Sequence, residues 1–241
     1  MPRPSQMEWM AGGRRPVGER PDLGAVSLRG LGSNTPSDVK MTYPYVKLGD
    51  MTQQAPVARA ASRVSGDTQD AHKAFADALG DREHHDPDAI AVRPLTLDCG
   101  SPLPKTLRVY LYRATAPESE RKEGTFRIQV TGLAPAREPG HLDWSNDGWP
   151  LLAGYEPNLG AFILWDAGIY DQGTGIVWSR NVQVSRSTIL EAMAQGIAEE
   201  TRHLRGQVDE VVVACTASHL EAAVARRLNL TIERLVAGRR A

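Results

Sequence analysis

The stretch FILWDAGIYDQGTGIVWSRNVQVS, residues 162–185, contains the strongest structural signal in this chain. Residues 161–167 are almost continuously hydrophobic, which is typical of a central strand buried on both faces. After a glycine-rich turn, the alternating residues 175–185 predict a strand that returns as its partner. The polar residues of this second run leave three interpretations open: a catalytic hairpin, a surface that reads nucleic acid, or an ordinary hairpin with polar residues at its tip.

Helical and strand patterns surround this stretch. Residues 67–86 predict a helix that Asp67 or Thr68 caps and that Gly80 can end. Residues 106–114 and 125–133 alternate, and the charged turn between them predicts an antiparallel pair. The remaining predicted elements are a short strand or turn at 150–158, a helix at 187–205 capped by Ser187 or Thr188, a buried strand at 209–217 and a helix at 218–238. This order predicts a single α+β domain at 67–241, with a mixed or antiparallel central sheet flanked by helices.

Residues 1–66 differ in composition from the rest of the chain. They are rich in Pro, Gly, Ser and Arg and have few apolar runs. Such a segment cannot bury enough surface to offset its ordering entropy, so it is predicted to be a flexible or loosely docked extension. Its arginines could touch phosphates, but a solvated tail is the favoured interpretation.

Composition narrows the class of protein. The formal net charge is −1, so any nucleic-acid binding must rely on local patches. Cys99 and Cys215 are isolated, which argues against zinc ribbons and disulfide frameworks and fits a reducing cytoplasm. No apolar stretch approaches the roughly 20 residues of a membrane helix, and the N-terminus has no apolar signal region. A cytoplasmic protein without a membrane segment is expected.

The catalytic motifs of several enzyme classes are missing. The chain has no G-x-S-x-G, P-loop, dinucleotide fingerprint or H-E-x-x-H. The strongest enzyme interpretation is a divergent magnesium-dependent endonuclease, which needs an acid at one strand end and Glu-x-Lys on the next strand. Glu123 precedes a strand, but that strand reads Arg127-Ile128-Gln129 and lacks the acid-x-Lys pair. Other acids that could serve are Asp143, Asp147 and Asp166.

Two residue pairs have both a chemical and a structural interpretation. His84 and His85 are adjacent, so their side chains diverge, and a solvated helix end is favoured over a metal site. Cys215 and His219 could act together at a strand-to-helix turn. A cysteine in VVVACTA is more often a small core residue. No catalytic residue, metal ligand or cofactor is therefore assigned.

Polar and aromatic side chains recur on the predicted outward strand faces. Arg, Asn and Gln read base edges, and Tyr and Trp offer stacking surfaces. An exposed strand face of ordinary composition, with a local cation–π pair, is the alternative. The candidate DNA-binding residues are Arg108, Tyr110, Arg127, Gln129, Trp178, Ser179, Arg180, Asn181 and Gln183.

The order of these motifs carries a resemblance to a known group. An Arg-x-Tyr strand is followed by an (Arg/Lys)-Ile-Gln strand, a Gly-Tyr turn, a Trp-Asp strand and a Ser-x-Asn-x-Gln-Val strand before a helix. Over residues 68–228 this order resembles the methylase-associated (X1-type) domains of bacterial restriction–modification and phage-defence systems. The matching residues are Arg108, Tyr110, Arg121, Arg127, Gln129, Gly154, Tyr155, Trp165, Asp166, Ser179, Asn181 and Gln183.

The resemblance implies a DNA-recognition module. Such a module would bind a particular or modified site on double-stranded DNA and act with a separate DNA methylase or nuclease subunit. A divergent magnesium-dependent endonuclease is one alternative. A non-catalytic protein-interaction subunit, which the near-zero net charge favours, is the other.

Overall fold

The computed structural model describes most of the chain after residue 61. The described ranges are 62–80, 87–116, 124–131, 133, 138–171, 175–177, 179–204 and 209–238. Outside them lie residues 1–61 of the predicted extension, as well as His84, His85, Arg121, Glu123 and Trp178.

The described residues form strands and helices, with a long run of consecutive strands in the first half of the domain. The strands are β1 (Ser62–Arg63), β2 (Val92–Arg93), β3 (Leu95–Asp98), β4 (Thr106–Arg113), β5 (Thr125–Val130), β6 (Pro139–Gly140), β7 (Gly148–Glu156), β8 (Ala161–Trp165), β9 (Ile176–Val177), β10 (Arg180–Ser185), β11 (Ile197–Arg202) and β12 (Glu210–Thr216). The helices are α1 (Gly66–Ala78), α2 (Pro87–Ile90), α3 (Ala167–Tyr170), α4 (Arg186–Gln195) and α5 (Leu220–Gly238), with a 3-10 turn at Ala217–His219 before α5.

A six-stranded mixed sheet forms the centre of this fold. Its strand order is β11-β12-β8-β7-β4-β3. Strands β4 and β7 are parallel, and the other neighbouring pairs are antiparallel. The predicted α+β class with a mixed central sheet is therefore confirmed.

Both faces of the central sheet are buried. Alternate residues of β4, such as Leu107 and Val109, point to one face, which helices α1 and α5 cover. Phe75 of α1 packs edge-on against Phe162 there, with ring centroids 5.4 Å apart. Tyr110 and other residues of opposite parity point to the second face, which helix α4 and strands β5 and β10 cover. We call these the helical face and the ribbon face.

Strands β5 and β10 form a separate antiparallel ribbon. The predicted pairing of 106–114 with 125–133 is therefore wrong: β4 pairs with β3 and β7, and a single bridge, Thr115–Arg127, links it to β5. The predicted pairing of 161–167 with 175–185 is also wrong, because β8 pairs with β7 and β12. Strands β4 and β8 are buried on both faces and take central positions. Strands β5 and β10 each have one polar face, which suits the surface of the domain.

Several element boundaries differ from the predicted ones. The helix predicted at 187–205 ends at Gln195, because Gly196 adopts φ 92° and the chain then forms edge strand β11. Ser65 takes the N-cap position of helix α1 and Ser185 that of helix α4, in place of the predicted caps, and neither side chain makes a capping hydrogen bond. The region predicted as a short strand or turn at 150–158 belongs largely to the nine-residue strand β7.

The Gly-Tyr motif lies inside strand β7 rather than in a turn. A Cβ atom on Gly154 would lie 2.9 Å from both the Ile128 and the Trp165 side chains. Glycine at this position therefore lets the ribbon pack closely on the central sheet.

Candidate nucleic-acid interface

One side of the β5–β10 ribbon is apolar and faces the sheet. Val182 lies opposite Ile128, and Val184 lies opposite Phe126. All four side chains are buried on the ribbon face. Because side chains alternate along a strand, the residues between them must point away from the core.

The other side of the ribbon gathers polar side chains in register. Asn181 lies opposite Gln129, and Gln183 lies opposite Arg127. Gln129 and Asn181 are exposed, while Arg127 and Gln183 are half-buried. The Gln129 amide donates to the Ser179 hydroxyl over 3.1 Å. We call these five residues, Arg127, Gln129, Ser179, Asn181 and Gln183, the outer ribbon face.

The ribbon is locally basic although the whole chain is not. Segments 125–130 and 179–186 contain Arg127, Arg180 and Arg186 and no acidic residue, whereas the net charge of the chain is −1. Arg186 is exposed and follows β10 directly. The formal charges carried by these two segments are therefore all positive, which favours an anionic ligand.

The central sheet fixes the backbone of strand β10. The Gln183 carbonyl accepts a hydrogen bond from the Trp165 indole over 3.1 Å and another from the Arg202 guanidinium. Trp165 is fully buried, so it packs in the core. These contacts hold one residue of the outer ribbon face in a defined position.

Arg180 does not share the face of Asn181 and Gln183. It lies opposite Val130 in the ribbon register and is half-buried. Its guanidinium stacks on the Tyr170 ring, 4.9 Å from the centroid, and donates to the Tyr170 carbonyl over 3.4 Å. Arg180 therefore joins the ribbon to helix α3.

Arg108 and Tyr110 are not on an exposed face, so the predicted outward orientation is wrong. Arg108 is 9% exposed and pairs with Asp143 at 3.2 Å. The Tyr110 hydroxyl accepts from the Asp143 amide over 2.8 Å, and burial raises its pKa. The predicted alternation of β4 is confirmed. The ribbon and the chain around Asp143 nevertheless cover the strand face that holds Arg108 and Tyr110.

Asp166 holds the turn that begins helix α3. Its carboxylate accepts from the Gly168 amide over 3.0 Å and caps helix α3. Arg234 binds both carboxylate oxygens, at 2.8 and 3.0 Å, and Arg227 lies 3.3 Å away. Asp166 is 1% exposed, so these contacts describe a structural anchor.

A second buried acid, Glu210, lies next to this anchor. It accepts from the Tyr170 hydroxyl over 2.5 Å and from the Asp166 amide over 3.3 Å. Burial raises the pKa of the Glu210 carboxyl. The pattern of residues 209–217 had suggested only a buried strand, because nothing local marks which acid at a strand end will be enclosed.

A third buried acid, Asp171, organises the loop after β6, and sequence reasoning missed it. Its carboxylate accepts from His141 Nδ1 over 2.9 Å and from the Leu142 amide and the Trp144 indole, each over 3.0 Å. Burial raises the pKa of Asp171. These partners lie about 30 positions before Asp171 in the chain, so no local motif could reveal the cluster.

Cys215 is a core residue, as its structural interpretation predicted. It is fully buried, and burial raises the pKa of its thiol to about 12. His219 instead lies 3.0 Å from the Thr216 and Ser218 hydroxyls. Within the described ranges, no group of three or more His, Cys, Asp or Glu side chains could hold a metal ion.

The fold and the interface define an α+β domain with a basic, amide-rich ribbon on one face. Residues 105–224, which run from strand β4 into helix α5, match the family described as methylase-associated X1. The domain over these residues belongs to that family, which links the chain to a methylase and a restriction–modification context. No curated protein and no solved structure matches the chain. Among the described residues, no helix is long and apolar enough to span a membrane.

Proposed function

We propose that this chain is a DNA-recognition module that acts with a separate methylase or nuclease. The outer ribbon face is the observation that carries the proposal. A two-stranded β-ribbon is one of the elements that fits the major groove of B-DNA. Arg, Asn and Gln side chains, which make up most of this face, are those that bind base edges bidentately.

The spacing of the outer ribbon face suits stacked base pairs. Residues two apart along a strand, such as Asn181 and Gln183, lie about 7 Å apart. That distance is about two steps of the duplex, whose base pairs are about 3.4 Å apart. The two cross-strand pairs can therefore address base pairs about two steps apart, while Arg186 lies near enough along the chain to contact the phosphate backbone.

Binding to a fluorescent duplex, measured by anisotropy over a salt series, tests the proposal. We expect wild-type affinity to fall steeply as salt rises, because phosphate neutralisation releases counterions. Arg127→Ala should weaken binding about 5- to 100-fold, which corresponds to the loss of one bidentate contact. Arg226→Ala is the matched control, because it removes an equal charge from helix α5 on the opposite side of the sheet.

Two outcomes would contradict the proposal. One is no affinity at low salt for duplexes in either methylated or unmethylated form. The other is equal weakening by Arg127→Ala and Arg226→Ala, which would indicate non-specific charge attraction. Co-purification with a methylase but not with DNA would instead favour a protein-interaction subunit.

A further inference from the structure

We infer that the outer ribbon face distinguishes adenine from N6-methyladenine in the major groove. This inference rests on the proposed DNA-recognition function and names the base that the ribbon reads. Three of the five residues of the face, Gln129, Asn181 and Gln183, carry a carboxamide.

A carboxamide matches adenine better than it matches the other bases. It presents a donor and an acceptor in one plane, and adenine offers an N6 donor and an N7 acceptor at its major-groove edge. Guanine offers two acceptors there, which suit a guanidinium. Since Arg127 lies opposite Gln183, the face pairs carboxamides with a single guanidinium and favours an adenine-containing site with a neighbouring guanine.

Contacts restrain one carboxamide of the face and the backbone that carries another. Gln129 donates one amide hydrogen to Ser179, and its second hydrogen and its oxygen remain for a base. The backbone of Gln183 is held by Trp165 and Arg202. The Gln129 side chain, and the backbone that carries the Gln183 side chain, are therefore less free to move to accommodate a changed base edge.

Methylation at N6 removes the group that the carboxamide oxygen needs. One N6 hydrogen pairs with thymine, and the other points into the major groove. A methyl group that leaves base pairing intact replaces the second hydrogen. The carboxamide oxygen then faces a methyl group and loses its donor, so affinity should fall by roughly tenfold for each such contact.

Three pools of short duplexes with randomised centres test this inference. One pool contains unmodified bases, one contains N6-methyladenine in place of adenine, and one contains 5-methylcytosine in place of cytosine. We expect the full-length wild-type protein to bind the N6-methyladenine pool at least tenfold more weakly than the unmodified pool. The 5-methylcytosine pool should bind like the unmodified one, because its methyl group leaves the adenine edge unchanged.

Variants connect the discrimination to the ribbon. Asn181→Ala should reduce the ratio between the unmodified and N6-methyladenine pools towards one, because Asn181 is exposed and its loss removes a carboxamide without disturbing the core. Arg226→Ala should keep the wild-type ratio. If the wild-type protein bound the unmodified and the N6-methyladenine pools equally well, the inference would be overturned and the proposed DNA binding would stand. Failure to bind any pool would instead overturn the proposed function itself.

Discussion

His72 gives the clearest link between a single side chain and solution behaviour. It is fully buried in helix α1, and its Nδ1 donates to the Ile90 carbonyl over 2.8 Å. Its Nε2 has no hydrogen-bond partner within the described part of the chain. Burial lowers the pKa of His72 to about 4, so the folded protein holds this imidazole neutral.

The free energy of unfolding should therefore depend on pH through His72. The unfolded chain takes up a proton near pH 6.5, whereas the folded chain resists it until about pH 4. Stability should be fully present above about pH 6.5 and should fall by about 3 kcal/mol as the pH decreases to about 4. Urea unfolding of the wild type and of His72→Phe across this range measures the effect.

The difference between the stability–pH curves of the wild type and of His72→Phe isolates the contribution of His72. Burial raises the pKa of Asp171 and Glu210, and their contributions have the opposite sign but occur in both proteins. An unchanged pH slope in His72→Phe would contradict the assignment.

At the scale of elements, the close contact between the ribbon and strand β7 depends on Gly154. A methyl group there would meet Ile128 and Trp165 at 2.9 Å, and both side chains are fully buried. We expect Gly154→Ala to lower the free energy of unfolding by about 1–3 kcal/mol, because overpacking displaces the ribbon or the indole. Denaturant unfolding followed by tryptophan fluorescence measures the change.

Gly100 supplies the matched control for this substitution. A Cβ atom at Gly100 would meet no heavy atom within 4 Å. Gly100→Ala should therefore change stability by less than about 0.5 kcal/mol. Equal effects of the two alanine substitutions would show that the space at Gly154 is not what limits packing.

Periodicity predicted most strands but not their partners. The alternation of β4 and the hydrophobic run of β8 depend on neighbouring residues, so one sequence displays them. Pairing depends on which strands are buried on both faces, and β5 and β10 meet across about 50 residues. The missed strand β11 follows a glycine inside a helix-like pattern, where local propensity favours the helix and tertiary pairing overrides it.

Alternation along each strand also predicted which residues lie on the outer ribbon face, but not how the two strands meet. Arg127, Gln129, Asn181 and Gln183 were placed on strands with the correct outward parity, and the structure brings these two strands together. Arg108 and Tyr110 had the same kind of pattern but are buried against the chain around Asp143. Alternation separates the two faces of a strand, but it cannot show that both faces are covered.

At the scale of the whole molecule, Asp166 ties helix α5 to the end of strand β8. Arg227 is 3% exposed and loses its carboxylate partner if Asp166 is removed. We expect Asp166→Ala to lower the free energy of unfolding by about 3–5 kcal/mol, because it leaves a buried cation unpaired. The DNA affinity of the folded fraction should stay within about twofold of wild type, which corresponds to a change of only about 0.4 kcal/mol.

Thermal and denaturant unfolding, combined with anisotropy, separate these two effects. Glu199→Ala, which breaks the exposed pair with Arg226, is the control and should cost less than about 1 kcal/mol. A stable Asp166→Ala protein that had lost DNA binding would contradict the structural role of this carboxylate.

The alternation of strand β10 separates two tasks within six residues. Val182 and Val184 face the core, and Asn181 and Gln183 face solvent from the same backbone. Substitutions on the solvent side leave the buried valines in place, so surface chemistry can vary while the hydrophobic packing is preserved. Strand β10 is therefore a position where the preference for a ligand can diverge between related proteins, or be redesigned, without rebuilding the fold.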